Sequence, residues 1–240
     1  QAVAELATRD GPPEYLQYGS NHGRPGLRKL LCDHLCELEP ELDSHEVQRG
    51  FFVSNGSQQA LYLAMQVLCN PGDIVLVDRP SYFVFLEMLK GLGIEARSIP
   101  VDAKGLVDED AFSAMLSGLR ASGDADRVKA IYFVSYFSNP SGRSLTREEK
   151  AGIATCLRSA DLVIPAIEDA AYRDLYYRDP WPAPSILSIP AWEEFPRLYT
   201  STLTKPYATG LKVGFATCTD IEWRAKMLHV KAHHDFGTAN

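Results

Sequence analysis

The 240-residue chain has no apolar run approaching the roughly 20 residues that would carry a helix across a bilayer. Its first ten residues, Gln1 to Asp10, contain neither a basic stretch nor an apolar one, so nothing there reads as a secretory leader. Cysteine is sparse. Cys32, Cys36, Cys69, Cys156 and Cys218 are odd in number, scattered and mostly inside apolar stretches, which argues against a disulfide framework and predicts a reducing, cytoplasmic setting. Basic charge is short as well: 24 Lys+Arg against 31 Asp+Glu leave a net charge of −7, with no electrostatic footprint for nucleic acid or an anionic membrane. No internal repeat or low-complexity linker interrupts the chain. It also lacks an initiating Met and stops at Ala239-Asn240 without a terminating pattern, which predicts a segment of a longer protein.

What is present is the composition of an ordinary globular domain, 45% hydrophobic and 23% charged, which excludes disorder and collagen-like repeats. After a Gly/Pro-rich lead, spacings of three and four predict a helix from Leu27 to about Leu42. Strands are predicted at 51–54, 74–77, 94–99, 128–135, 162–167, 197–201 and 211–218. Helices are predicted between them, one opening at Ser57 as N-cap and one carrying the capping box Thr146-Arg147-Glu148-Glu149. This alternation implies an α/β fold with a mixed, mainly parallel seven-stranded sheet flanked by helices. About ten residues separate the last two strands, too few for a parallel crossover, so the last strand should run antiparallel to its neighbours.

In open sheets of this kind, ligands sit beyond the carboxyl ends of the strands. The loops at 54–57, 79–82, 135–142, 168–172 and 201–210 should therefore converge. Ser54-Asn55-Gly56-Ser57-Gln58 follows a strand and opens a helix, which presents free N–H groups and a positive helix end to an anion, although the same residues would also serve as a plain cap. The glycine spacings of the P-loop and the dinucleotide fingerprint are absent. Glu168-Asp169-Ala170-Ala171-Tyr172 brings a carboxylate and a phenol three residues apart, or a helix cap with a packed tyrosine. Ser201-Thr202-Leu203-Thr204-Lys205 adds an amine, which by itself is an ordinary solvated charge. Together with the amide of Asn139 and the aromatic plate of Tyr82, these loops hold what an aldehyde cofactor with a phosphate and a basic ring nitrogen requires.

The ordered motifs FFVSNGSQQAL, VDRPSYF, SYFSNPSG, IEDAAYRDLYY and STLTKPYATGLKVGF resemble the large domain of fold-type I, pyridoxal-phosphate-dependent class I/II aminotransferases. The branch of 2-aminoadipate, kynurenine and aromatic aminotransferases is the most similar in look, and the resemblance covers about residues 15–240. It implies an N-terminal segment with a leading helix (1–45), a cofactor-binding large domain (46–240), and a smaller domain with the arginine for the substrate carboxylate beyond Asn240. By the same resemblance Lys205 would condense with the cofactor aldehyde and Asp169 would face the pyridine nitrogen. Tyr172 and Asn139 would bond the ring oxygen and Tyr82 would stack on the ring. Gly56, Ser57 and Gln58, with Thr202, would hold the phosphate. Thr202 and Thr204 stand where serines are common, and Lys212 replaces an arginine, so a bidentate fork becomes a single ammonium. Tyr18, or else Tyr15, would reach the phosphate of a neighbouring subunit in a homodimer with shared sites.

The activity so implied is transfer of an amino group between an amino acid and a 2-oxo acid. A lyase on the same fold, or the effector-sensing half of a GntR-type transcription regulator, would use the same cofactor residues. His229 and His233 have a zinc-compatible spacing, but no further ligand pattern completes a site, and no metal is expected. Cys32 and Cys36 read as one helix face. Tyr132, Phe133, Tyr136 and Phe137 read as strand core and site wall.

Overall fold

The computed structural model describes residues 18–235, so Tyr15 lies outside the described residues. A single sheet of seven strands organises the chain. Among the described residues two helices precede it, α1 (Pro25–Leu38) and α2 (Ser44–Gly50), where the sequence predicts one helix from Leu27 to about Leu42. The break has a local cause: Asp43 accepts hydrogen bonds from the N–H groups of His45 and Glu46 and so starts a new helix.

The strands are β1 (Phe51–Asn55), β2 (Ile74–Val77), β3 (Glu95–Ser98), β4 (Val128–Val134), β5 (Ala166–Asp169), β6 (Arg197–Thr202) and β7 (Val213–Cys218). Between and after them run α3 (Gly56–Leu68), α4 (Phe83–Gly91), α5 (Glu109–Ser122), α6 (Arg147–Ser159) and α7 (Ile221–Asp235). The order across the sheet is β1-β7-β6-β5-β4-β2-β3. β7 is antiparallel to both β1 and β6, as the short connection requires, and every other pairing is parallel. The capping box at Thr146 and Glu149 is formed.

Period-two alternation sorts the strand side chains onto two faces. Phe52, Val75, Val77, Ala130, Tyr132 and Ile167 pack under α3, α4 and α7. Ile74, Leu76, Ile131, Phe133 and Ala166 pack under α5 and α6. Phe51, Val53 and Phe215 meet α1 on that same second face, near the β1 edge. Burying both faces explains why the strands read as near-continuous apolar runs. No helix among the described residues is long and apolar enough to cross a membrane.

One strand differs from the sequence reading in a way that matters. β5 occupies Ala166–Asp169 rather than 162–167. The apolar residues Leu162 and Ile164 are buried, but they belong to the approach from α6, and the ladder begins only at Ala166, opposite Ile131 and Arg197. Glu168 and Asp169 are thus strand residues pointing to opposite faces.

Candidate active site

At the carboxyl ends of the parallel strands a single pocket collects Asn55, Gly56, Ser57, Gln58, Tyr82, Asp169, Ala171, Tyr172, Thr202, Thr204, Lys205 and Lys212. Of the site residues proposed from sequence, all but Asn139 and Tyr18 line it. Asn139 joins from the loop at 135–142, its Nδ2 donating to the Tyr172 hydroxyl at 3.4 Å. Tyr18 is 86% exposed and is not among the pocket's lining residues.

The candidate anion cradle is the turn from β1 into α3. The helix begins at Gly56, so Asn55 rather than Ser57 is its N-cap, and the Asn55 side chain makes no cap hydrogen bond. Instead, its own N–H is taken by Gln59 Oε1 at 2.9 Å, and Ser54 Oγ donates to the Gly56 carbonyl at 2.8 Å. The turn is held, yet the first helical N–H groups face the pocket without a side-chain cap. Gly56 adopts φ +67° to make this turn. Beneath it passes β7, so close that a Cβ on Gly214 would stand 2.3 Å from the Gly56 carbonyl carbon and 2.4 Å from the Ser57 nitrogen. Both are backbone atoms and neither can step aside. Gly214→Ala is therefore expected to cost about 3 kcal/mol, the upper end for overpacking, and to weaken phosphate binding. Thermal unfolding and inorganic phosphate titration of the variant check this.

The two threonines divide their work. Thr202 Oγ1 donates to the Val213 carbonyl at 3.0 Å and accepts from the Thr204 N–H at 3.1 Å, so its hydroxyl is occupied. Thr204 Oγ1 is buried with no hydrogen-bond partner among the described residues. Of the two, Thr204 has the hydroxyl to spare for a ligand. Lys212 lines the pocket from a left-handed backbone position at φ +53°, unusual for a residue with a side chain.

The two adjacent carboxyls of β5 show what the pocket lacks. Glu168 is fully buried on the far face, where Lys150 Nζ lies 2.7 Å away and Ser135 Oγ and the Ile186 N–H also donate to it. Its charge is compensated. Asp169 is buried on the pocket face and forms no ion pair among the described residues. It accepts from the Ala171 N–H at 3.0 Å and from the Tyr132 hydroxyl at 3.1 Å. Burial pushes its carboxyl up to about 6, a rise held back by those two donors and by the charge of Lys205. Lys205 Nζ sits 5.7 Å from the centre of the Tyr172 ring. Burial also raises the Tyr82 phenol, with Tyr172 and Asp169 adding to the rise.

Three residues at or beside this site have no individual role in the sequence reading. Tyr132 reads only as strand core and site wall, and Asp78 and Gly214 lie inside the motifs VDRPSYF and STLTKPYATGLKVGF without a role of their own, although a glycine inside a strand pattern is a signal of close backbone approach. Asp78, just after β2, is half-buried, accepts from the Val134 N–H at 2.9 Å, and is pushed by burial of its carboxyl up to about 7.

The model of the family "Aminotransferase class I and II" matches residues 1–237. Among curated proteins, the chain is 33% identical over 210 residues to a mitochondrial kynurenine/alpha-aminoadipate aminotransferase of Rattus norvegicus, covering 84% of this chain and 48% of that protein. It is 31% identical over 201 residues to aromatic-amino-acid aminotransferase 1 of Thermococcus litoralis, covering 83% of this chain and 45% of that protein. The chain thus spans about half the length of these relatives. Among solved structures, a Pyrococcus horikoshii kynurenine aminotransferase in complex with PMP superposes with a TM-score of 0.82 at 26% identity, covering 99% of this chain and 55% of that one.

Proposed function

Because the chain belongs to the class I and II aminotransferases, we propose that it is the cofactor-binding part of a pyridoxal-phosphate-dependent transaminase, moving an amino group between an amino acid and a 2-oxo acid. Residues 46–240 form the body of that part and residues 1–45 its lead. The reading rests above all on one observation: Asp169 is a buried carboxyl with no ion-pair partner among the described residues, in one pocket with the amine of Lys205 and an uncapped helix N-terminus. A ligand with a cationic ring nitrogen, a carbonyl and a phosphate would meet all three needs, and the spare Thr204 hydroxyl fits the phosphate.

When bound, pyridoxal phosphate supplies an aldehyde that condenses with amines and a protonated ring that draws electrons from the bond being broken. Lys205 Nζ would be the amine for that aldehyde, and once free the same Nζ would take the proton from the α-carbon of a bound amino acid. Asp169 would hold the proton on the ring nitrogen by charge and hydrogen bond. Tyr172 and Asn139, already in contact with each other, would bond the ring oxygen, and Tyr82 would cover the ring face. The N–H groups of Gly56, Ser57 and Gln58, the threonines and the ammonium of Lys212 would anchor the phosphate. Tyr18, which is 86% exposed, would reach the phosphate of a neighbouring subunit in a homodimer with shared sites.

The reading is tested by mixing the full-length protein with pyridoxal phosphate, reducing with borohydride and mapping the labelled peptide. The pyridoxyl group is expected on Lys205, and turnover is expected with some amino acid of a panel paired with 2-oxoglutarate or pyruvate. A label on another lysine refutes the assignment.

A further inference from the structure

Tyr132 lies on β4 two residues before Val134, which pairs with Asp169 in the parallel ladder, so Tyr132 and Asp169 share the pocket face of the sheet. The Tyr132 side chain is fully buried. Its ring stacks on Phe85 of α4, with centroids 3.8 Å apart and planes at 22°, which directs the hydroxyl along a set line. At the end of that line is Asp169 Oδ2, 3.1 Å away, while Asp169 Oδ1 is taken by the Ala171 N–H. Each carboxylate oxygen therefore has one protein donor, and only one of the two is a side chain that evolution or mutagenesis can remove without touching the backbone.

We propose that Tyr132 is a positioning residue: its hydroxyl holds Asp169 in the ionised form and in the orientation that meets a cationic ring nitrogen. This rests on the cofactor reading given above. A hydrogen bond donated to a carboxylate favours its charged form. Without it Asp169 would bind a proton more tightly, and a pair consisting of carboxylate and protonated ring would shift toward carboxylic acid and neutral ring, the poorer electron sink. Tyr132 is suited to this because burial, with the carboxyls of Asp169 and Asp78 beside it, pushes its phenol far above the ordinary range, so it stays a donor. The other titratable groups facing Asp169 are Asp78 after β2, Tyr82 before α4, Tyr172 after β5 and Lys205 after β6, with Glu168 adjacent on β5 itself.

The test uses cofactor-free full-length protein with carboxyl-labelled aspartate, titrated by infrared spectroscopy, the Asp169 band being identified by its loss in Asp169→Asn. Tyr132→Phe keeps the stack on Phe85 and is expected to raise the Asp169 midpoint by about one pH unit or more, the size of a hydrogen bond to a charged acceptor. Fluorotyrosine placed at position 132, a more acidic donor, is expected to lower the midpoint, so a Phe variant that fails to fold leaves the proposal testable. An unmoved midpoint overturns it. In a second arm, pyridoxal phosphate labelled with nitrogen-15 in the ring is bound to both forms, and Tyr132→Phe is expected to reduce the protonated fraction of that nitrogen. A moved midpoint with an unchanged ring signal overturns the role toward the cofactor. Failure of the unsubstituted protein to take up pyridoxal phosphate would instead refute the proposed function, a result the first arm does not depend on.

Discussion

Lys205→Ala in the full-length protein is expected to abolish the absorbance of protein-bound pyridoxal phosphate and to lower transamination by about four powers of ten or more. The magnitude follows from the double duty proposed for Nζ. As the amine that holds the aldehyde, it supplies the covalent attachment from which substrate takes over. As the base at the α-carbon, it supplies an acid–base contribution that by itself reaches about 10⁴-fold. Lys205 also lends positive charge to Asp169, so its removal should raise the Asp169 carboxyl further above 6. Spectra and single-turnover rates, with and without an added small primary amine, are the measurement. Turnover within tenfold of the unsubstituted protein would mean that another amine serves this site.

Asp169→Ala is the second large effect, expected at about 10³-fold in turnover, the scale of losing one preorganised charge from a water-poor site. Cofactor retention should suffer less, since the cradle at Gly56–Gln58, Thr204 and Lys212 lies elsewhere in the pocket. The same residue also shapes stability. Burial lifts Asp169 to about 6 and Asp78 to about 7, both above the unfolded value of about 4. Between those limits the folded chain binds more protons than the unfolded one, so stability is fullest at the acid end of the window and falls as pH rises through 6 and 7. The melting temperature of the cofactor-free protein should therefore drop from pH 4.5 toward pH 7.5. Asp169→Ala should flatten part of that slope and bound cofactor another part, because a ring cation would favour the ionised carboxyl. A slope unchanged by either would show that Asp169 is not the group responsible.

Much of this site was legible because its chemistry is carried by residue types at strand ends. Alternating apolar strands and helices imply a parallel sheet, a parallel sheet brings its strand ends and the loops after them to one edge, and that edge holds Asp169, Tyr172, Thr204 and Lys205. The antiparallel β7 was legible too, because a connection of about ten residues leaves no room for a crossover. Local signals worked where a side chain meets its own backbone, as in the Thr146 capping box. They failed where that partner lies elsewhere. Ser57 reads as a cap, but Gln59 and Ser54 hold the turn and the helix starts two residues earlier, with Asn55 at the cap position.

What the amino-acid sequence determined by itself is the order of strands and helices, the edge at which the loops meet, and the set of functional groups delivered there. Only the tertiary structure decided which of those groups are already satisfied. Glu168 and Asp169 are consecutive acids in the sequence, yet one pairs with Lys150 from α6 and the other forms no ion pair among the described residues. Thr202 and Thr204 are both hydroxyls in one loop, yet one is spent on β7 and the other is free. Gly214 is an ordinary strand glycine until the β1–α3 turn is laid across it. The physical reason is the same in each case: satisfaction depends on hydrogen bonds, charges and contacts between residues distant in the chain, and these exist only once the sheet has brought the strands together.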